Sequence, residues 1–175
     1  MTRMVDQMAE VLAVFSTCET TPALIDGLAL AAHNYVRATQ DIDFLADLAD
    51  AERLHEALLR LGYRCAHRND DAANYQRGDE GIDFLYAHRD VSRQLLATAD
   101  ERETAFGCIR VVSAEGLIGF KLQAFVNNPK RLRDIEDIRF LLRNNRDKLN
   151  MAEVRRYFTL FERQPLLDEL IAEDE

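Results

Sequence analysis

Three aspartates in two separate segments could together bind a divalent cation. Asp41 and Asp43 form an Asp-Ile-Asp sequence, and Asp83 lies in the second of two Ile-Asp-Phe-Leu tetrapeptides, at residues 42–45 and 82–85. Alternate residues of a β-strand face the same side, so Asp41 and Asp43 project together while the apolar residues enter the core. If the two strands pair, all three carboxylates converge.

Carboxylates that converge in this way disfavour joint ionisation unless a cation neutralises them. Carboxylate oxygens are the ligands that Mg²⁺ and Mn²⁺ prefer, and such ions stabilise in-line displacement at phosphorus. The alternative is that the Asp-x-Asp segment is a solvated strand face and that two strands merely use similar residues.

The elements around these aspartates mix strands and helices. Periodicity and turn residues predict helices near 4–15, 28–35, 51–61 and 114–126, and strands at 23–25, 41–45, 63–66, 73–77, 81–86 and 108–112. Asp50 and Ser113 are predicted N-caps, and Gly62 a C-cap glycine. Further helical segments follow Pro129. The sequence therefore predicts an α+β fold in a single domain, 1–175, whose helical C-terminal portion covers about 113–175.

Composition excludes several classes of protein. The chain has 175 residues, 47% of them hydrophobic, a net charge of -9 and three cysteines without a C-x-x-C pair. A disulfide framework, a structural zinc site and a strongly basic coat protein are thus not expected. P-loop, G-x-G-x-x-G, H-E-x-x-H and G-x-S-x-G motifs are absent. No signal peptide or membrane span is predicted, so we expect a cytoplasmic protein without a membrane partner.

The charge is unevenly distributed. Residues 130–156 hold nine Lys or Arg and five acids, a surplus of +4, which leaves -13 for the remainder. A basic helical face would suit a phosphate-bearing substrate, whereas the alternative is an ordinary solvated helix surface.

Three segments resemble the nucleotidyltransferase superfamily, in particular its minimal branch with AbiEii-type and MNT-type proteins. The segment LIDGLALAAHNYVRATQDIDFL at 24–45 resembles the family's first signature, and GIDFLYA at 81–87 its third-carboxylate strand. A later segment, 113–142, resembles the downstream signature. The matching positions are Gly27, Ala29, His33, Arg37, Thr39, Asp41, Asp43, Asp83, Glu115, Lys121, Arg131, Asp134 and Asp137.

The resemblance implies a mixed sheet flanked by helices, and a transfer of NMP from an NTP to an acceptor hydroxyl with release of pyrophosphate. The acceptor would be RNA such as tRNA, a protein or a small molecule. Asp41 and Asp43 would hold Mg²⁺ or Mn²⁺. Asp83 would complete a second metal site and help to deprotonate the acceptor, so that these three residues form the catalytic set.

The resemblance also implies residues that bind the NTP. Gly27 and the following N–H groups would face the triphosphate. Lys121 would be a charge partner of the triphosphate or a solvated helix lysine, and Arg37 would pair with a phosphate or with the aspartates. Thr39 would orient the metal-binding loop or complete a turn, and His33 is expected to pack in the interior.

One position departs from the family pattern. Asp26 stands where the family has glycine, and its charge lies beside the expected triphosphate. Asp26 would then be an extra metal ligand or a helix cap. An alternative function is a catalytically degenerate member that acts as a protein-binding, antitoxin-like regulator. The resemblance also implies an abortive-infection or toxin–antitoxin system, with a partner protein from that system.

Overall fold

The computed structural model describes residues 2–173, which contain seven β-strands and eight α-helices. The strands are β1 (Ala23–Ile25), β2 (Asp41–Asp47), β3 (Arg64–Arg68), β4 (Ala72–Arg77), β5 (Glu80–Ala87), β6 (Asp100–Thr104) and β7 (Gly107–Val111). The helices are α1 (Thr2–Val14), α2 (Asp26–Ala32), α3 (Ala51–Arg60), α4 (Asp90–Ala97), α5 (Ala114–Asn127), α6 (Leu132–Asn144), α7 (Met151–Leu160) and α8 (Gln164–Ala172). Within residues 2–173, no helix is long and apolar enough to cross a membrane.

The strands form one mixed sheet in the order β3-β4-β5-β2-β1-β7-β6. The pairs β2–β5 and β1–β7 are parallel, and the other neighbours are antiparallel. Helix α2 contacts β1 and β2, and α4 contacts β2 and β5. The predicted α+β class, with a mixed sheet and flanking helices, is confirmed.

The two Ile-Asp-Phe-Leu tetrapeptides lie side by side in this sheet. Parallel pairing of β2 with β5 matches Phe44 to Phe84, each almost completely buried. Their ring centroids are 5.9 Å apart, and Phe15 meets Phe44 edge-on at 4.7 Å. Because successive strand residues face opposite sides, burial of these rings turns the preceding aspartate of each strand to the other face.

The chain divides into two compact units. One contains the residues up to Ala32 together with Arg37–Val112, and the other contains His33–Val36 together with the residues from Ser113 onward. The second unit is helical from residue 114, close to the predicted boundary at 113. That the units act as one domain stays a prediction.

The short segment His33–Val36 belongs to the helical unit through specific contacts. The amide of Asn144 donates to the carbonyl of Asn34 at 3.0 Å, and that of Asn145 to the carbonyl of His33 at 3.1 Å. Tyr35 stacks on Phe140 with ring centroids 4.3 Å apart. His33 is buried, as expected for a packed histidine.

Three residues were predicted to cap the ends of helices, and two of these predictions agree with the structure. Ser113 caps α5 by accepting from the Gly116 N–H, and Gly62 has a left-handed φ of 88° after α3. The predicted side-chain cap by Asp50 is wrong. Its carboxylate is fully buried and accepts from the N–H groups of Glu19 and Thr20, at 2.9 and 3.0 Å. A distant loop thus outcompetes the adjacent helix end for this acceptor.

Two other differences have local causes. Helix α2 occupies 26–32 rather than the predicted 28–35, and Asn34 just beyond it has a left-handed φ of 65°, which an α-helix cannot continue through. Helix α4 and strand β6 were not predicted. The sequence of β6, Asp-Glu-Arg-Glu-Thr, has no apolar alternation since it is an exposed edge strand that pairs only with β7 among the described strands.

Truncation of the core ring behind the second tetrapeptide should be costly. Phe84→Ala is expected to lower the free energy of unfolding by about 3–5 kcal/mol, since it leaves a cavity among buried rings. The matched control is Leu85→Ala, on the same strand but 39% exposed, which should cost about 1 kcal/mol or less. Denaturant unfolding measures both, and equal losses would contradict the assignment of faces.

Candidate functional site

The carboxylates predicted to converge are carried by β2 and β5. Asp43 is the register partner of Asp83, and Asp41 is the partner of Gly81. Neighbouring strands lie about 4.8 Å apart, so Asp43 and Asp83 leave the sheet side by side. The predicted pairing of the two strands is confirmed, and the register places Asp43 directly beside Asp83.

Gly81 makes room for the first carboxylate. A Cβ atom added at Gly81 would lie 2.6 Å from Oδ1 of Asp41, closer than real contacts allow. The carbonyl of Gly81 also accepts from the buried Gln7 amide at 3.2 Å. The sequence analysis assigned neither residue to the site. Gln7 is far from the aspartates in the chain, and the role of Gly81 depends on its pairing with Asp41 across two strands.

Asp83 lies in an unfavourable electrostatic position for an ionised carboxyl. Burial raises its pKa, and the charges of Asp41 and Asp26 raise it further, while a hydrogen bond from Asn74 acts in the opposite direction. Asn74 is the register partner of Asp83 on β4. Asn74 was also missed, although the alternation of Ala73 and Tyr75 as core residues already places it on the polar face.

Asp26, the residue that departs from the family pattern, adopts a left-handed conformation. Its φ is 53°, a region that favours glycine and that aspartate tolerates better than most residues. Its carboxylate pairs with Nη2 of Arg37 at 2.9 Å. Of the two partners predicted for Arg37, a phosphate or an aspartate, the structure shows an aspartate. The negative charge of Asp26 is therefore partly balanced.

Gly27 and Thr39, both predicted to bind the nucleotide, lie against each other. A Cβ atom at Gly27 would be 2.8 Å from Cβ of Thr39 and 2.9 Å from its Oγ1. The Thr39 hydroxyl donates to the carbonyl of Asp41 at 3.2 Å. The absence of a side chain at Gly27 thus lets the loop before β2 pack onto the start of α2, close to Asp26.

Lys121 lies in the helical unit and is buried there. Its amine contacts Asp137 Oδ2 at 2.9 Å and Asp134 Oδ1 at 3.3 Å, and Asp134 also accepts from Arg131 at 2.5 Å. Both aspartates are almost fully buried. The alternative of a solvated helix lysine is wrong, and the amine instead neutralises two interior carboxylates of α6.

The acidic cluster of the sheet, formed by Asp26, Asp41, Asp43 and Asp83, offers hard oxygen donors. Among residues 2–173 no three His, Cys, Asp or Glu side chains are arranged as a ready metal-ion site. The donor type nevertheless fits Mg²⁺ or Mn²⁺, which take one or two carboxylates and complete their shell with water and phosphate oxygens.

Comparison with known sequences identifies a family. The sequence profile described as "uncharacterised nucleotidyltransferase" matches residues 1–168. No protein of curated function is significantly similar to the chain in sequence.

Solved structures show a similar fold. The solution structure of the antibiotic-resistance factor ANT(2'')-Ia has a TM-score of 0.71 at 19% identity and covers 99% of both chains. Its crystal structure with adenylyl-2''-tobramycin has a TM-score of 0.68 at 20% identity, covering 91% of this chain and 97% of that one. The lincomycin-bound lincosamide antibiotic adenylyltransferase LnuA follows at 0.57 and 15%, covering 78% and 94%. The predicted nucleotidyltransferase-like fold is confirmed.

The raised pKa of Asp83 predicts a pH-dependent stability. An aspartate whose pKa rises on folding destabilises the folded state above its folded pKa, whereas below the ordinary value of 3.8 both states are protonated and the penalty vanishes. Asp83→Asn should therefore be more stable than the wild type at pH 7, and this advantage should disappear as the pH falls towards 3.8.

Denaturant unfolding between pH 3.5 and about pH 8 measures that difference. Asp70→Asn, in an exposed turn, is the control and should show no such trend. A constant or inverted difference for Asp83→Asn would contradict the placement of Asp83 in the cluster.

The backbone of Asp26 generates a second prediction. Asp26→Gly and Asp26→Ala both remove the carboxylate, so their difference reports the left-handed conformation. Glycine should be more stable than alanine by about 1 kcal/mol, because alanine is strained at positive φ. At Ala31, exposed in the same helix, glycine should instead be less stable than alanine by about 1 kcal/mol. Thermal unfolding compares the pairs, and the same sign at both sites would contradict the conformation.

Proposed function

We propose that this chain, which belongs to the family of uncharacterised nucleotidyltransferases, transfers a nucleoside monophosphate from an NTP to an acceptor hydroxyl. The observation that carries the proposal is the in-register pairing of Asp43 with Asp83, which collects carboxylates from two distant segments on one face of the sheet. Bringing carboxylates together costs electrostatic energy. Binding of a cation together with the phosphates of an NTP would explain why the fold accepts this cost.

The proposed reaction is an in-line displacement at the α-phosphorus. The acceptor oxygen forms a bond to phosphorus while its proton passes to a carboxylate oxygen of Asp83. The bond from phosphorus to the bridging oxygen breaks, and its electron pair leaves with pyrophosphate. Asp83 is thus the proposed general base of the reaction.

Asp41 and Asp43 are the proposed ligands of Mg²⁺ or Mn²⁺, and Asp83 the proposed additional ligand. When bound, the cation supplies positive charge that neutralises the carboxylates and the triphosphate oxygens. Gly81 contributes by leaving space in which the Asp41 carboxylate can lie. The register of β2 and β5 sets the separation of these donors before any cation arrives.

The proposed triphosphate contacts come from the segments that meet beside Asp41. Gly27 would present backbone N–H groups, and Thr39 would hold the loop through its bond to the Asp41 carbonyl. Arg37 supplies positive charge there and keeps Asp26 in place. A contact between Lys121 and the triphosphate stays a prediction, since the Lys121 amine already binds two carboxylates.

A small-molecule hydroxyl is the proposed acceptor. Support comes from the fold neighbours, one of which was solved with adenylyl-2''-tobramycin and another of which is a lincosamide adenylyltransferase. Transfer to tRNA or protein, the AbiEii-type branch and a toxin–antitoxin partner stay predictions. The alternative of a degenerate regulator was based on the charge of Asp26. Its pairing with Arg37 weakens that argument.

Label transfer tests the proposal directly. The protein is incubated with α-labelled NTPs and Mg²⁺ in the presence of tobramycin, lincomycin, bulk tRNA or cell extract. Wild type should label an acceptor, Asp83→Asn should be about 100-fold slower or worse through loss of the base, and Asp43→Asn should reach background. Asp70→Asn should keep wild-type activity.

Calorimetry with NTP and Mg²⁺ separates the alternatives. Metal-dependent NTP binding that Asp43→Asn abolishes supports the enzyme. If wild type neither labels any acceptor nor binds NTP, the enzymatic proposal fails and the protein-binding regulator remains.

A further inference from the structure

The side chain of Asn74 borders the carboxylates of the candidate site. Asn74 of β4 is the register partner of Asp83 of β5, and Asp83 is the partner of Asp43 of β2. Because β5 lies between β4 and β2 in the sheet, Asn74 and Asp43 flank Asp83 on opposite sides of one face. The side chains of directly paired strand residues start about 5 Å apart, so the Asn74 amide is within reach of the Asp83 carboxyl.

Core packing fixes the face on which Asn74 lies. Its neighbours Ala73 and Tyr75 are fully buried, and the Tyr75 hydroxyl lies 3.0 Å from Nδ1 of His55 in α3. Since successive strand residues face opposite sides, Asn74 lies on the face that carries Asp83. A rotation of β4 that turned Asn74 away would expose Tyr75 and break its contact with His55.

Opposing interactions act on the Asp83 carboxyl. Burial and the charges of Asp41 and Asp26 oppose its ionised form, whereas the Asn74 amide donates a hydrogen bond to it and favours that form. The two oxygens of an ionised carboxylate only accept, and the amide nitrogen supplies the donor. A hydrogen bond to a charged group is stronger than one between neutral groups, so Asn74 can hold the carboxylate in one rotamer against the repulsion.

We infer that Asn74 is a positioning residue of the proposed reaction, which holds one oxygen of Asp83 on the β4 side and leaves the other for the proton of the acceptor hydroxyl. The inference rests on the proposed function, in which Asp83 is the general base. The proton moves from the acceptor oxygen to the Asp83 oxygen that Asn74 does not bind, and the amide keeps both of its own protons. Asn74 thus acts through Asp83 and takes part in no bond that forms or breaks.

The rotamer of Asp83 tests this role without any activity. Three-bond couplings from the Asp83 carboxyl carbon to its backbone nitrogen and carbonyl carbon report the rotamer, and NMR measures them on the full chain without nucleotide. The wild type should give the couplings of a single rotamer. Asn74→Leu, which keeps the size of the side chain and removes the donor, should give averaged couplings. Asn74→Thr, which supplies a donor hydroxyl, should return them towards the wild-type values.

Label transfer to the acceptor that the wild type labels measures the effect on the reaction. Asn74→Leu should lower kcat about tenfold or more, because a hydrogen bond to a charged group is lost. Its KM for NTP should stay within about twofold of the wild type, since the proposed nucleotide contacts are intact. Asn74→Thr should recover part of kcat. Gln76→Leu is the matched control, because it removes an exposed amide from the same face of β4, and it should leave couplings and kcat unchanged.

Three results would each overturn the inference: averaged Asp83 couplings in the wild type, wild-type couplings in Asn74→Leu, or an Asn74→Leu kcat no lower than that of Gln76→Leu. A wild type that labels no acceptor would instead refute the proposed function, and the couplings would still show whether Asn74 holds the Asp83 carboxyl. Backbone amide spectra that match the wild type outside β4 and β5 verify that the variants fold.

Discussion

The parallel, in-register pairing of β2 with β5 is the constraint on which the candidate site depends. It places Phe44 beside Phe84 in the core, and the same register places Asp43 beside Asp83 on the opposite face. A shift of one residue in either strand would bury a carboxylate and expose a ring. The position of the acidic cluster is thus a consequence of core packing, which no interaction among the carboxylates could produce.

Magnitudes explain how core packing can hold these carboxylates close together. Burial of an isoleucine or phenylalanine contributes roughly 1.5–3 kcal/mol, so the four core residues of the two tetrapeptides together contribute about 6–12 kcal/mol. Repulsion between two carboxylates about 6 Å apart is on the order of 3 kcal/mol at an effective dielectric near 20. Core burial therefore outweighs the repulsion. The pKa of Asp83 is raised first by burial of its carboxyl and then by the charges of Asp41 and Asp26.

The two groups of aspartates differ in their burial and in the positive charges that face them. In the helical unit, Asp134 and Asp137 are buried but face Lys121, with Arg131 on Asp134, so positive and negative charges balance. In the sheet, the aspartates are more accessible, and Arg37 pairs with Asp26. Balanced buried charges stabilise a fold only when every partner is present, whereas a surplus of accessible carboxylates is suited to cations.

The amino-acid sequence by itself determined the strands and helices with strong periodicity, the faces of β2 and β5, and the three aspartates of the candidate site. These follow from local spacing, since alternate strand residues share a face whatever the rest of the chain does. Gly62 after α3 and Ser113 before α5 were also predictable, because a helix cap depends only on residues close to it in the chain.

Only the tertiary structure decided which distant groups meet. Asn74 beside Asp83, Gly81 under Asp41 and the loop that binds the Asp50 carboxylate depend on pairing across tens of residues. Such contacts leave no periodic signal, because each requires one particular register or loop path. The same holds for Lys121, since spacing places it on a helix but packing alone buries it against two carboxylates.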